Sequence, residues 1–294
     1  MIGKTAAALG FFDGMHMGHK AVISTARRAA ERLDIPVSVM TFRGEPALPK
    51  FGGRRDMCLM TYEDKKKTLM LCGAQYIVAY KFSRIRNMSP ERFFKEIIIS
   101  DMNAAYVTCG EDFRFGRGGK GDAALLAELC AKNGIEFEAV PQYSIDGVPV
   151  SSTGIRELLR EGNAERAMIM LGHAFSYTLP VLHGKQLGRT IGFPTINQVI
   201  PDFMVHPKRG VYASFTLVGD KSYPSITNIG VKPTVKNDGT ENMETHIIGY
   251  SGDLYGQVIR IELIRYLRGE QKFDSLDELK QQLETDKKFV LTKE

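Results

Sequence analysis

The chain has 294 residues, of which 43% are hydrophobic and 25% charged, with a formal net charge of +5. That length suits two domains better than one, and the balance is globular, which excludes wholesale disorder. Acidic and basic residues are interspersed, so composition gives no nucleic-acid groove, while a mild positive excess suits anionic small molecules. The cysteines Cys58, Cys72, Cys109 and Cys130 form no close C-x-x-C pair. This argues against a disulfide framework or zinc knuckle and for reduced thiols in a cytoplasmic protein. The opening MIGKTAAALGFFDG is too short an apolar stretch for a signal peptide, and no run approaches the roughly 18 apolar residues that span a bilayer.

The first half alternates strand-like and helix-like segments. Strands are expected at Thr5 to Phe12, Val37 to Phe42, Ala74 to Tyr80, Ala104 to Cys109 and Ile135 to Val140. Helices are expected at Gly18 to Leu33, Tyr62 to Leu71, Pro90 to Ile99 (capped by Ser89) and Asp122 to Lys132. Such alternation predicts a doubly wound α/β parallel sheet. The basic run Lys65 to Lys67 follows Glu63 and Asp64 and reads as a solvated helix face, with a phosphate contact as the lesser option. Two short helices, Thr153 to Arg160 and Ala164 to Leu171, then lead to a boundary near residues 165–175, dividing the chain into 1–172 and 173–294. Beyond it, strand-like runs follow one another at Phe175 to Leu182, Val211 to Val218, Ser225 to Ile229, Thr245 to Tyr250 and Val258 to Leu267. Strands without intervening helices predict an antiparallel β-barrel, closed by a C-terminal helix over Ser275 to Lys287.

Three segments of the first half carry chemistry. Gly10-Phe11-Phe12-Asp13-Gly14-Met15-His16-Met17-Gly18-His19 leaves a strand and enters a helix, the place where doubly wound sheets bind ligands. Its glycines let the backbone approach a phosphate, so Gly10, Phe12, Asp13 and Gly14 form a nucleotide cradle, and free N–H groups at the helix start favour anions. His16 and His19, three apart, can point to one side and donate hydrogen bonds to phosphate oxygens as charge builds during transfer. A lone histidine at a helix start is usually a cap, but H-x-G-H after a glycine-rich strand exit is much less often accidental. Ser151-Ser152-Thr153-Gly154-Ile155-Arg156 reads first as a helix N-cap. With Arg156 one turn in, Ser152 and Thr153 also make a triphosphate clamp. Gly110 to Gly121, which contains Asp112, reads either as a surface loop or as a lid over a phosphate or aromatic ring.

The pairing of H-x-G-H with a downstream S-S-T-x-I-R, and G-E-D-F-R-F-G between them, resembles the FMN adenylyltransferase module of prokaryotic bifunctional FAD synthetases. Class I aminoacyl-tRNA synthetases share H-x-G-H but carry a K-M-S-K loop. The nearest string here, Arg86-Asn87-Met88-Ser89, lacks both lysines.

The second half carries Gly184-Lys185-Gln186-Leu187-Gly188-Arg189, suited to a phosphate loop with Arg189 facing the anion, although no Walker sequence is present. Thr195 and Asn197 alternate by two and offer hard oxygen ligands for Mg2+ with ATP. Glu244, on a strand, reads either as an exposed charge or as a base for an attacking hydroxyl. The runs G-R-x-I-G-F-P-T-I-N, N-I-G-V-K-P-T, E-T-H, G-D-L-Y-G and L-R-G-E-Q-K-F are similar to riboflavin kinases. That resemblance implies Mg-ATP held by the glycine loop and the Pro-Thr-x-Asn segment, with Glu244 as general base on the riboflavin 5′-hydroxyl.

Together the resemblances imply phosphorylation of riboflavin to FMN in the C-terminal domain and adenylylation of FMN to FAD in the N-terminal one. Mg2+ and ATP are implied throughout, with no nucleic acid, membrane or obligate protein partner. Phe11, Lys232 and Gly249 depart from the usual Asn, Arg and Asp of the family. Two other readings are an enzyme with one working half, the adenylyltransferase, and a flavin-binding regulator without catalysis.

Overall fold

The computed structural model describes residues 3–43, 58–184, 188, 191–231 and 241–292. The described residues divide into two compact units, one falling within Met1–Arg54 and Thr61–Ser152, the other within Arg55–Met60 and Thr153–Glu294.

The first unit is built on strands β1 (Thr5–Leu9), β2 (Val37–Phe42), β3 (Tyr76–Tyr80), β4 (Ala104–Gly110) and β5 (Glu136–Val140), between which run α1 (Met17–Leu33), α2 (Tyr62–Leu71), α3 (Phe82–Ile85), α4 (Pro90–Phe93) and α5 (Ala123–Lys132). The strands form one parallel sheet in the order β3-β2-β1-β4-β5, so the order reverses at the β1–β4 pair. Every residue of β1 is buried, as expected for a central strand covered on both faces. Caps set the helix limits: the side chains of Thr61, Ser89 and Asp122 accept the N–H groups of Asp64, Arg92 and Leu125. A hairpin of β6 (Ser144–Ile145) and β7 (Val148–Pro149) completes the unit.

Two expectations need correction here. The first strand stops at Leu9, because Phe12 has a φ of +53°, which a strand cannot hold. The helix expected over 90–99 is α-helical only to Phe93 and continues as a π-helix over Phe94–Asp101, with the Met102 N–H reaching back to the Ile97 carbonyl at 2.9 Å. That widening turns Phe94, Ile97 and Ile98 into the core beside Phe93 and Phe115.

The second unit begins on α6 (Ser152–Glu161) and α7 (Ala164–Leu171), which ends at the left-handed Gly172. Strands β8 (Phe175–Pro180), β9 (Thr195–Val199), β10 (Gly210–Val218), β11 (Lys221–Val231), β12 (Glu241–Ile247) and β13 (Val258–Arg268) follow, then α8 (Leu276–Thr292). They form an antiparallel sheet in the order β8-β13-β10-β11-β12-β9. Its two outer strands are brought together at one end by a Leu182–Asn197 bridge, in which the Leu182 N–H donates to the Asn197 carbonyl at 2.7 Å. Inside, Gln198 Nε2 donates to the carbonyls of Leu179 at 2.6 Å and Ile259 at 2.9 Å. Strand β9 was not foreseen as a strand, because five residues with a Thr and an Asn carry little strand pattern. Cys58 also joins this unit, bridging to Met204.

The buried face of the barrel carries a polar line. Ser214 Oγ lies 2.8 Å from Thr227 Oγ1, which lies 2.9 Å from Thr245 Oγ1, and Thr216 Oγ1 lies 2.7 Å from Ser225 Oγ. All five residues are buried, and each hydroxyl bonds to another, which removes the penalty of hiding it. On the opposite face Val290 of α8 packs with Val211, Ile226 and Ile248. The helix is pinned there by Arg268, whose Nη2 and Nε approach Asp286 Oδ2 at 2.7 and 3.1 Å. Asp286→Ala would leave that largely buried guanidinium without its anion, a loss of about 3 kcal/mol in denaturant unfolding of the full chain.

Candidate active sites

In the first unit the chain leaves β1 through Gly10 and makes a turn in which Phe12, Gly14 and Met15 have φ of +53°, +79° and +46°. Left-handed backbone at two non-glycine residues is a local cost that the surrounding contacts must hold in place. The Phe12 ring folds back over Gly10, where a Cβ would come within 2.9 Å of it, so position 10 must be glycine. Asp13 is buried, and the Ser152 hydroxyl donates to its carbonyl at 3.0 Å.

The turn delivers His16 to the N-cap of α1. Its Nδ1 accepts the His19 N–H at 3.3 Å, and the two imidazoles stack at 3.6 Å with 17° between planes. A neutral ring whose Nδ1 accepts carries its proton on Nε2, so His16 is preset as a donor. Phe12 meets His19 edge-on at 5.3 Å. Gly18 makes room: a Cβ there would stand 3.3 Å from the His16 ring. The arrangement gathers donors and a helix dipole at the point where the strand order reverses, which is suited to a phosphate chain.

Asp112 lies exposed just past β4, the neighbour of β1. The glycine-rich loop around it is stapled by a Phe115–Gly121 pair, with N–H···O distances of 3.0 and 2.9 Å, and by the Phe115 ring against Phe93 at 5.1 Å. Thr153 is exposed and Arg156 is 2% exposed one turn into α6. In the tRNA-synthetase look-alike string, Met88 is core and Ser89 is a helix cap.

Lys65 is not on a solvated face. Its neighbours Lys66 and Lys67 are exposed, but Lys65 is 5% exposed and its Nζ donates to the carbonyls of Phe11 at 3.1 Å and Phe42 at 2.9 Å. The signal was its spacing: Lys65 lies four residues before the buried Leu69, on the same helix face. The Phe11 ring lies 4.5 Å under that ammonium and 5.7 Å from Phe42. The departure at position 11 therefore meets Lys65 and Phe42.

In the second unit β12 lies between β11 and β9, in a register that sets Glu244 opposite Asn197 and Asn228, and His246 opposite Thr195. Cross-strand neighbours share a face, so Thr195, Asn197, Glu244 and His246 form one cluster. Glu244 is exposed and Asn197 is 6% exposed. Asn197 Oδ1 has no hydrogen-bond partner among the described residues, and a Cβ on Gly184 would touch its amide at 2.5 Å. A buried carbonyl oxygen in that state suits a hard cation. Gly188 is also obligatory, since a Cβ there would lie 2.1 Å from the Phe193 carbonyl, while the Phe193 N–H donates to the Gly188 carbonyl at 2.8 Å. Arg189 and Lys232 lie outside the described residues. Gly249 sits in the turn after β12 with a φ of +76°, a conformation that explains glycine there.

His246 was missed as a site residue, although its spacing of two from Glu244 puts it on the same face. Its Nδ1 lies 2.9 Å from the Pro194 carbonyl, and because a carbonyl only accepts, Nδ1 bears the proton. The ring rests 4.9 Å from Phe193. It thus holds the residue next to Thr195.

A family model described as FAD synthetase matches residues 2–154, and one described as riboflavin kinase matches residues 171–293. The chain is 35% identical to the bifunctional riboflavin kinase/FMN adenylyltransferase of Escherichia coli K12, across 95% of this chain and 89% of that one. It is 34% identical to the protein of that name from Bacillus subtilis, across 98% and 92%. A solved structure from Streptococcus pneumoniae, named a macrolide-efflux protein, matches with a TM-score of 0.85 and 29% identity over 98% of this chain and 95% of that one. Among the described residues no helix is long and apolar enough to cross a membrane. A switch-point imidazole pair in one unit and a carboxylate facing a buried amide in the other, under these two family models, make the chain a transferase with an FAD synthetase domain ahead of a riboflavin kinase domain. The chain belongs to the bifunctional riboflavin kinase/FMN adenylyltransferase family.

Burial lowers the His246 pKa from the ordinary 6.5, assisted by Lys287 and opposed by the Pro194 carbonyl and Glu284. The unfolded chain then binds more protons at this residue just below that value, so the stability linked to His246 is fully present above pH 6.5 and is lost as pH falls from there through the folded pKa. His246→Asn keeps a donor for Pro194 but cannot titrate. Denaturation midpoints measured against pH are expected to show a shallower acid decline in this variant than in the parent.

Proposed function

We propose that the chain converts riboflavin to FMN in its C-terminal domain, residues 173–294, and FMN to FAD in its N-terminal domain, residues 1–172, consuming ATP in each step. The stacked His16–His19 pair carries the second assignment. The FMN phosphate is already an anion and attacks the α-phosphorus of ATP without a protein nucleophile, and pyrophosphate leaves. Catalysis is then positioning and charge stabilisation. The His16 Nε2–H and the His19 ring face the charge that develops on the phosphoryl oxygens. The Gly10–Gly14 turn, with Phe12 and Asp13, holds the nucleotide, and Ser152 ties that turn to the start of α6. Thr153 and Arg156 join as a hydroxyl and a guanidinium on the triphosphate, and Asp112 as a contact to nucleotide or metal, on the strength of the motif.

In the kinase half, Glu244 accepts the proton of the riboflavin 5′-hydroxyl as that oxygen attacks the γ-phosphorus of ATP, and ADP leaves. Exposure of Glu244 and its register opposite Asn197 support this role. Gly184, Gly188 and Arg189 form the phosphate loop. Thr195 and Asn197 would hold Mg2+, and the free Asn197 Oδ1 supports the fit. Mg2+ bound there would neutralise charge on the ATP phosphates. No partner beyond riboflavin, FMN and ATP is needed for these steps. All four cysteines are free, which supports a cytoplasmic setting.

Chromatography of products from riboflavin or FMN, each supplied with Mg-ATP, tests both halves. His19→Ala should cut FAD formation by about 100-fold or more and leave FMN formation intact. Glu244→Gln should do the reverse. Equal loss of both activities in either variant would refute the assignment of domains.

A further inference from the structure

We propose that Lys65 is a positioning residue for nucleotidyl transfer, acting through the Phe11 carbonyl on the turn that aims His16 and His19. This rests on the adenylyltransferase reading of the first unit.

The geometry is specific. Thr61 caps α2, and the Lys65 N–H donates to the Thr61 carbonyl at 3.0 Å in the first turn of that helix. The side chain then runs inward to the exits of β1 and β2, where the carbonyls of Phe11 and Phe42 lie past the last sheet pairing of β1 with β2, Leu9 with Met40. Such strand-end carbonyls lose their ladder partners and must find donors elsewhere. Lys65 Nζ supplies both, and Thr41 Oγ1 adds a second bond to the Phe11 carbonyl at 2.8 Å. The Phe11 ring under the ammonium, at 4.5 Å, restrains the same residue from its side chain.

Phe11 is the last anchored residue before the left-handed positions Phe12, Gly14 and Met15. A backbone in that state can relax if its entry is released. His16 follows at once, and its ring is bounded by Gly18, where a Cβ would stand 3.3 Å away, and by the stack on His19 at 3.6 Å. A shift of the Phe11 carbonyl therefore passes directly to the imidazoles. An apolar residue would fill the same space at less desolvation cost, so the ammonium marks a need for donors at this point.

Lys65→Met keeps the apolar stem and removes the donors, which separates packing from positioning. The full chain carrying it is expected to unfold a few degrees below the parent, since the Phe42 carbonyl loses the Lys65 donor, and to make FMN from riboflavin at the parent rate. Its kcat for FAD from FMN should fall by about 10-fold to 100-fold, with a smaller change in KM for ATP. The His16 and His19 ring resonances in NMR spectra of the ligand-free protein should move. Lys65→Ala should regain part of its FAD-forming kcat on addition of n-propylammonium. If Lys65→Met prevents folding, the alanine variant decides: recovery with the amine supports the proposal and its failure overturns it. A folded Lys65→Met with FAD formation within about two-fold of the parent and unmoved histidine resonances also overturns it, since misaimed groups lose more than that. A parent protein that forms no FAD from FMN and ATP would instead refute the underlying reading.

Discussion

One hydrogen bond organises the end of the first unit where the strand order reverses: the His19 N–H donating to His16 Nδ1. It caps α1, fixes the tautomer of the first imidazole and locks the second ring over it. A helix start commonly uses a hydroxyl or carboxylate for this purpose. Using an imidazole instead satisfies the backbone with Nδ1 and, in the neutral ring, sets the proton on Nε2. The structure around it follows from that choice. Gly18 must lack a side chain, the turn must reach left-handed backbone at Phe12 and Met15, and Ser152 must hold Asp13 from behind.

The barrel solves the same problem with sheet register. The kinase reading proposed above uses a carboxylate and a hard oxygen on neighbouring strands, and the β9–β12 pairing sets Asn197 across from Glu244. The Leu182–Asn197 bridge holds the position of β9, and His246 holds the residue that leads into it through Pro194. Asn197 is thus held by a backbone bond of its own, and Thr195 through its neighbour Pro194, which the His246 side chain restrains.

Much of this was legible in the sequence because the signals are local. Alternating strand and helix periods, a glycine exit followed by two histidines, and the Thr-x-Asn alternation depend on residues close together in the chain. The family resemblance extended them across both halves. What escaped depends on distant partners. Strand β9 is weak alone and exists because β12 pairs with it. The π-widened turn over Phe94–Asp101 answers the packing of its core, not its own propensity. Lys65 resembled its exposed neighbours by composition, and only carbonyls 54 and 23 residues away explain its burial.

The hydroxyl line inside the barrel has a consequence for how the fold assembles. Along β12, Thr245 points inward to Thr227 and Glu244 points outward. Sliding this strand by a single position would send the threonine to water and drive the carboxylate into the interior, breaking the chain of hydroxyls and stranding a charge at once. An all-aliphatic lining would oppose such a slip through burial alone, without the loss of paired hydroxyls. The five small alcohols therefore tie the register of β12 to that of its neighbours, and with it the side of the sheet on which Glu244 lies.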